Sequence, residues 1–395
     1  MGIASGVCVV VLVGLALGAG PGPAVGQVPR TWSSDSVRAL IGVIRASGAE
    51  GLSPADYDPD GLEGALDGAA PDLDRRADDA ALSLAHDYFE GRVRASERAD
   101  RHIARGLIDY QAWLSDVVAR GSIRASFARL LPVSPAYRDL RASLAHCGAQ
   151  NARCETIVAT LDRWRWLPRD FGSSYLWVNV PAFRLDLIEN GAIVASHKVI
   201  VGKPGTRTPV FKATVTGVTI NPWWNVPCSI VDESIGKLVR TNPREAARRG
   251  YVASVDKAGR LQVRQKPGPN NALGRIKLEM PNPYGVYIHD TPSRDLFDKD
   301  KRAFSHGCIR TEAPDALART LLGKGQAGQV DLLLLTGGTR TLRLPQALPV
   351  YVVYLTAEPD PSVRGGLLTY PDIYQRDGAA LANARTATAA GDAGP

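Results

Sequence analysis

Residues 175–201 read YLWVNVPAFRLDLIENGAIVASHKVIV. Tyr175 to Asn179 and Phe183 to Glu189 alternate as half-buried strands do, Asn190-Gly191 is a two-residue hairpin signal, and Ile193 to Val201 is the return strand. The same texture recurs at Phe211 to Ile220, Ile276 to Met280, Val286 to His289, Gln329 to Thr336 and Val350 to Leu355. The half of the chain after Pro168 is therefore expected to be mostly β. A charged, more helical stretch at about 230–264, containing Arg244 to Arg249, interrupts these strands and reads as an insertion able to fold over a site.

The half before Pro168 has the other period. Val37, Leu40, Ile41 and Ile44 recur at i, i+3, i+4 and i+7, with Gly48 placed to end that helix in the left-handed conformation. A second helix is expected to start at Asp78-Asp79, where acidic groups suit the positive end of the helix dipole, and to carry Leu82, Ala85 and Phe89 on one face. A third is expected over about Ile103 to Val118. These stripes are core faces and imply no chemistry. With 395 residues the chain exceeds the ~250 that one core usually reaches, so two or three domains are expected.

The one long apolar run, Gly6 to Ala19, leads into Gly/Pro-rich Gly20 to Gly26 and reads as an export signal cut near Gly26. It falls short of the ~20 apolar residues that span a bilayer, which weighs against a retained anchor. No Lys or Arg precedes Arg30, so the positive segment expected of such a signal is missing and the assigned start codon is open to question. The mature protein is expected outside the cytoplasm, with no integral membrane span. The tail from about Leu381 is rich in Ala, Gly and Thr and is expected to be disordered.

The net charge of +7 suits an anionic partner without choosing one, and the cations are scattered with no run longer than doublets such as Arg75-Arg76. Nucleic-acid binding therefore gets little support. Of five cysteines, Cys8 belongs to the leader. Cys147 and Cys154 are close enough to close a short loop in an oxidising compartment, although sequence does not fix connectivity. Cys228 and Cys308 are left unpaired by that scheme.

Chemistry concentrates in Tyr287-Ile288-His289-Asp290 and, after a polar loop, Ser305-His306-Gly307-Cys308-Ile309-Arg310, with fifteen residues separating His289 from Ser305. A thiol with a reference pKa near about 8.5 is a weak nucleophile at neutral pH until an imidazole takes its proton. Gly307 lets the backbone turn so that main-chain N–H groups face a substrate carbonyl; losing one such donor typically costs about 100-fold in rate. The group that orients His289 need only accept a hydrogen bond, and a backbone carbonyl close to Asp290 is the candidate. Zinc would need further ligands at short spacing, and neither CxxC nor HExxH is present, so no metal and no cofactor is expected. His86, His102, His146 and His197 have no such company and read as ordinary histidines.

With their flanks these residues acquire a family likeness. SHGCIR preceded by IHD at this distance resembles the signature of the L,D-transpeptidase (YkuD-type) catalytic domain. LDRWRWLP (161–168), VGKPGTRTP (201–209), NPWWNVPCSI (221–230) and the stretch RQKPGPNNALGRIKLEMPNPYGVYIHDTPS also look like the large periplasmic, YcbB-like members. GLSPADY (51–57) is similar to the helical scaffold domain of that group. The resemblance implies an α+β chain: a signal peptide over 1–26, a helical scaffold domain over 27–166, a mostly β catalytic domain over 167–357 with a small, partly helical lid insertion, and a C-terminal extension over 358–395.

It also implies roles. Cys308 matches the nucleophile and His289 the general base; His306 and Gly307 match the segment that shapes the oxyanion site. Arg310, with Tyr287 and Ser305, is expected to position substrate, a structural ion pair being the alternative for Arg310. Trp223, Trp224 and Tyr287 suit core or cleft walls. The implied partners are peptidoglycan stem peptides, a tetrapeptide donor and a diaminopimelate-type amine acceptor joined as a 3→3 cross-link through a thioester, and carbapenems are implied acylating agents. Hydrolysis, protein attachment and D-amino-acid exchange share that thioester, and an inert wall-binding scaffold is a further alternative.

Two departures stand out. Only about residues 138–160 separate the scaffold from RWRWLP, too few for the peptidoglycan-binding module usual in the YcbB-like group. Cys228 stands where proline is expected; it is read as a small buried residue, or else as a disulfide partner that silences Cys308.

Overall fold

A computed structural model describes residues 30–93, 98, 103, 106–147, 151–360, 362–363, 365–378 and 380–381. The apolar leader, His102 and the tail beyond residue 381 lie outside the described residues.

Helices α1 (Ser34–Ala46), α2 (Pro59–Asp67), α3 (Leu73–Glu90), α4 (Tyr110–Ala119) and α5 (Ile123–Ala128) surround one core. The Ser33 hydroxyl caps α1 by accepting from the Ser36 N–H at 3.2 Å, and Val37, Leu40, Ile41 and Ile44 are all buried. The left-handed residue that turns the chain is Gly51 (φ 74°), one 3₁₀ turn beyond Gly48. Helix α3 begins before Asp78, which lies inside it: its carboxylate accepts from Arg30 and from the Trp32 indole, both at 2.8 Å. A tertiary ion pair, not the helix dipole, explains that acid. The buried face is Ala77, Ala81, Leu84, Ala85 and Tyr88, with Leu82 and Phe89 only partly covered. Helix α4 starts later than the apolar period suggests because the Asp109 carboxylate caps it, accepting from Gln111 and Ala112 at 3.0 Å; Ile103 lies outside it.

Helices α6 (Pro135–Ala145) and α7 (Ala152–Arg165), joined across their loop by the Cys147–Cys154 disulfide, connect the two halves. The Arg/Trp stretch is the anchor. Buried Arg165 bonds the Glu50 carbonyl and the Tyr137 hydroxyl, and Arg163 pairs with Asp377 at 2.6 Å. Arg169 donates to the carbonyls of Phe89 and Leu130, while Trp164 stacks on Trp177 with centroids 5.7 Å apart. Cations satisfied by helix-end carbonyls and a partly buried carboxylate tie the helical half to the β half.

The strands are β1 (Ser174–Asn179), β2 (Arg184–Glu189), β3 (Ala192–Gly202), β4 (Phe211–Ile220), β5 (Trp224–Asn225), β6 (Tyr251–Val255), β7 (Leu261–Gln265), β8 (Ile276–Glu279), β9 (Ile288–His289), β10 (Ala303–Ser305), β11 (Ile309–Thr311), β12 (Arg340–Val353), β13 (Ala357–Pro359) and β14 (Leu367–Thr369). Asn190 and Gly191 both have positive φ (49° and 80°), as the two-residue hairpin between β2 and β3 requires. Nine strands form one sheet in the order β10-β3-β11-β9-β8-β4-β12-β1-β2, and β2 pairs back onto β3, so the sheet closes on itself. Inward side chains such as Val178, Leu187, Val201, Val215, Leu278, Ile288, Ile309 and Val352 share one core. Ile373 and Tyr374, from the C-terminal extension, bury in it too.

Two expectations about this half are corrected. Gln329 to Thr336 is not a strand but the end of helix α12 (Lys324–Thr336), which packs against α11 (Pro314–Leu322). Its apolar run is too short for period to separate strand from helix, and its leucines favour helix. The last long strand, β12, begins at Arg340, well before Val350. The 230–264 stretch is helical only in part. Short helices α8 (Cys228–Ile230), α9 (Gly236–Thr241) and α10 (Pro243–Arg248), with a π-turn at Val231–Ile235, lead into the β6–β7 hairpin, which extends β5 into a separate three-stranded sheet. The chain is thus a helical scaffold region followed by a β-rich region.

Candidate active site

Strand register brings the two chemical segments together. β9 and β11 are parallel neighbours with Ile288 opposite Ile309 and His289 opposite Arg310, and the Ile309 N–H donates to the Tyr287 carbonyl at 2.9 Å. Side chains alternate between faces, so Ile288 and Ile309 point into the core while Tyr287, His289, Cys308 and Arg310 share the other face. Lys277 on β8 stands opposite His289 from the other side. His289, Cys308, Arg310, Tyr287, Trp224 and Ile230 line one cavity of about 430 Å³.

His289 is buried, and its Nδ1 donates to the Asp290 carbonyl at 2.5 Å, the acceptor expected from sequence. That leaves Nε2 as the basic nitrogen. The Asp290 peptide is itself fixed: its N–H donates to the Ile276 carbonyl, and its buried carboxylate accepts from the Arg275 N–H at 2.8 Å and from Arg294 at 3.0 Å. Gly274 (φ 60°) makes room for that carboxylate, since a Cβ there would lie 2.3 Å from it.

The turn carrying Cys308 is braced from within. The Ser305 hydroxyl accepts from the Gly307 N–H at 3.0 Å and donates to the Cys308 carbonyl at 2.6 Å, and Gly307 has φ 113°. Thr208 donates to the Gly307 carbonyl at 2.9 Å. Ser305 is nearly fully buried with its hydroxyl engaged inside the turn. Its chemistry is that of a brace, and the Gly307 N–H is occupied by it.

Electrostatics make the pair neutral. Burial, then the Arg310 charge, pushes the His289 imidazole down to about 3; the Asp290 and Leu273 carbonyls pull the other way and lose. Burial also pushes the Cys308 thiol up, against the backbone and hydroxyl of Tyr287 and the charges of Arg310 and Lys277. The thiol lies 3.8 Å from the Gly285 carbonyl as a donor. Burial carries the Tyr287 phenol up to about 12, so it stays a donor beside the thiol. Near neutral pH the site holds a thiol and a neutral imidazole.

Arg310 has no carboxylate within ion-pair distance among the described residues, and its Nε is buried without a partner, which removes the structural ion pair as its explanation. His306, an exposed residue that also lines the cavity, meets Glu233 of the insertion at 3.0 Å and so links that segment to the Cys308 turn. Of the 230–264 stretch Ile230 lines the cavity, together with Pro227 and Ser229 just ahead of it. Cys228 is an exposed free thiol, not a buried residue; its neighbours line the cavity, and it does not. Trp223 is partly exposed beneath Arg264, at 4.5 Å, whereas Trp224 is a cavity wall. Sequence reading missed Glu233, Lys277 and the Gly274–Asp290 fit, none of which carries a local signal. Among the described residues no group of His, Cys, Asp or Glu side chains could hold a metal ion, and no helix is long and apolar enough to cross a membrane.

Comparison with known proteins agrees with these features. Residues 173–351 match the L,D-transpeptidase catalytic domain (YkuD) and residues 29–144 match the Scaffold domain. A Haemophilus influenzae protein named "Putative L,D-transpeptidase" is 30% identical over 243 residues, covering 56% of this chain and 48% of the relative. The chain thus spans about half the length of that relative. An L,D-transpeptidase from Mycobacterium smegmatis shares 13% identity over 46% of this chain and 58% of its own, with a TM-score of 0.26. An Enterococcus faecium L,D-transpeptidase shares 14% identity over 48% and 52%, with a TM-score of 0.25. The two domain matches carry the assignment: residues 173–351 are an L,D-transpeptidase catalytic domain (YkuD), with a Scaffold domain over 29–144 ahead of it.

Proposed function

We propose that this protein is a peptidoglycan L,D-transpeptidase that forms 3→3 cross-links through a thioester on Cys308. The observation that carries this reading is the register of β9 against β11, which sets His289 and Cys308 on one face of the sheet and in one cavity.

The donor is a tetrapeptide stem. Cys308 Sγ attacks the carbonyl at the L-centre of the diaminopimelate-type residue while His289 Nε2 takes the thiol proton, so no stable ion pair precedes attack. The Gly307 N–H is engaged by Ser305, which makes the Cys308 N–H the main-chain donor for the oxyanion; the Tyr287 hydroxyl stands beside it. Collapse breaks the C–N bond, and the proton on His289 goes to the leaving D-Ala amine. The thioester keeps the acyl potential of the amide, so no cofactor is consumed. A side-chain amine of a second stem then attacks, His289 takes its proton, and the Cys308 thiol is released. Arg310, its Nε unpaired in the cavity wall, holds a stem carboxylate.

Water attacking the same thioester would give hydrolysis, and a free D-amino acid would give exchange. Ile230 in the cavity wall and Glu233 against His306 support transfer, because an insertion closing over the thioester shields it from water. The Cys147–Cys154 disulfide fits an oxidising compartment and supports action in the periplasm.

The test incubates the protein and its Cys308→Ala variant with disaccharide tetrapeptide and reads products by mass spectrometry. Cross-linked dimer with loss of D-Ala, absent from the variant, is the expected result. Tripeptide alone would replace transfer by hydrolysis, and identical products from both proteins would overturn the reading.

A further inference from the structure

A second cavity, of about 620 Å³, is lined in part by Pro204 and Arg207 of the 203–208 loop. Phe183, Tyr370, Pro371 and Tyr374 give it flat apolar walls, and Arg207, Lys301 and Arg302 give it charge. Among the described residues Arg207 and Lys301 have no carboxylate within ion-pair distance. The Arg207 Nε donates to the Pro204 carbonyl and its guanidinium lies 5.6 Å from the Tyr374 ring. Arg302 spends its donors on the carbonyls of Val199, Phe183 and Lys299, and so contributes charge alone. Of the two lining carboxylates, Asp372 is consumed by the Tyr354 hydroxyl and the N–H groups of Arg376 and Asp377; Asp300 offsets one cation only. The balance is cationic.

Two lining residues, Phe183 (φ 51°) and Gln375 (φ 56°), hold the left-handed conformation that side chains other than glycine rarely adopt. The cavity also shares a wall with the nucleophile's turn. Tyr374 donates to the Gly202 carbonyl at 2.6 Å and accepts from the Thr208 N–H at 3.1 Å. In the same loop, Thr206 donates to the Ser305 carbonyl at 3.0 Å and Thr208 to the Gly307 carbonyl.

We propose that this cavity is a second, non-catalytic binding site for a carboxylate-bearing peptide stem, seating an unreacted stem beside the one at Cys308. Free carboxylates answer Arg207 and Lys301, and the apolar faces of the peptide lie on the aromatic and proline walls. An uncharged glycan would leave both cations unanswered. The inference rests on the stem-peptide reading of the Cys308 site.

The test uses full-length Cys308→Ala protein, so that nothing turns over, and free stem tetrapeptide, with amide hydrogen exchange read by mass spectrometry. Protection is expected in two separate regions: around 285–289 beside Cys308, and in 181–184, 299–303 and 370–375. Adding Arg207→Ala with Lys301→Ala, both at exposed side chains, should raise the concentration that half-protects the second region about tenfold or more and leave the first unchanged. Absence of protection in the second region at saturating peptide would overturn the proposal. So would protection that survives the double variant, or equal protection by a stem-free disaccharide. Loss of protection only around 285–289 would count against the stem reading of the Cys308 site instead.

Discussion

Arg310 stands directly opposite His289 in the parallel pairing of β9 and β11, so a fixed cation lies beside a buried imidazole. Burial, and then that charge, holds the ring neutral and leaves its basic nitrogen free across the physiological range.

That relationship gives the sign of a substitution. Arg310→Met removes a charge that disfavours the imidazolium, so the His289 pKa should rise from about 3 toward the ordinary imidazole range. In wild type the base stays unprotonated at all pH above that low value. In the variant the acid limb of kcat/KM should move to higher pH, and KM for the stem should rise as the carboxylate contact is lost. Ring titration by NMR checks the first effect and a pH–rate profile the second; an unmoved ring would contradict the account.

Cys308 and Cys228 offer an internal comparison. Burial raises the Cys308 thiol, whereas Cys228 is exposed, so iodoacetamide at neutral pH should label Cys228 first. Alkylation needs thiolate, and the thiolate fraction of Cys308 grows as pH rises toward its elevated pKa, so the gap should narrow in alkaline solution. Peptide mapping of the labelled protein reads both rates. Preferential labelling of Cys308 at neutral pH would show a preformed thiolate, contrary to the neutral pair.

Ser305→Ala removes both hydrogen bonds that close the Gly307–Cys308 turn and strands a buried N–H. The expected cost is about 1–3 kcal/mol of stability. Acylation by a carbapenem should slow by about 10- to 100-fold as the turn loosens. Thermal unfolding and intact-mass time courses measure the two; unchanged acylation would mean that the brace is not needed.

Glu233→Gln weakens the contact between the insertion and His306, an exposed pair whose loss should change stability by less than about 1 kcal/mol. If the insertion shields the thioester, the ratio of hydrolysed tripeptide to cross-linked dimer should rise while thermal stability stays put. An unchanged ratio would remove the roof from the mechanism.

Much of this was legible in local pattern. The Asn190-Gly191 hairpin, the Val37 to Ile44 stripe and the Cys308/His289 segments each express themselves within a few residues, where period, turn chemistry and flanks act. The Gln329 to Thr336 run did not reveal its helix, because a short apolar run fits either period. Asp78 looked like a helix start because its partners, Arg30 and Trp32, are more than forty residues away. Register is invisible for the same reason: nothing near Arg310 shows that it will lie against His289, or that Glu233 will meet His306 across 73 residues. Burial then sets both pKa directions, and burial is a property of the assembled sheet.

The most direct measurement traps the acyl-enzyme. Full-length protein, its Cys308→Ala variant and its His289→Ala variant are mixed with disaccharide tetrapeptide, quenched in acid within seconds, digested and mapped by mass spectrometry. The account predicts a thioester adduct of the stem lacking D-Ala on the Cys308 peptide of the unaltered protein, none on the Cys308→Ala variant, and a slowed adduct on the His289→Ala variant. Cross-linking or hydrolysis that persists in the Cys308→Ala variant, or an adduct on any other residue, would contradict it.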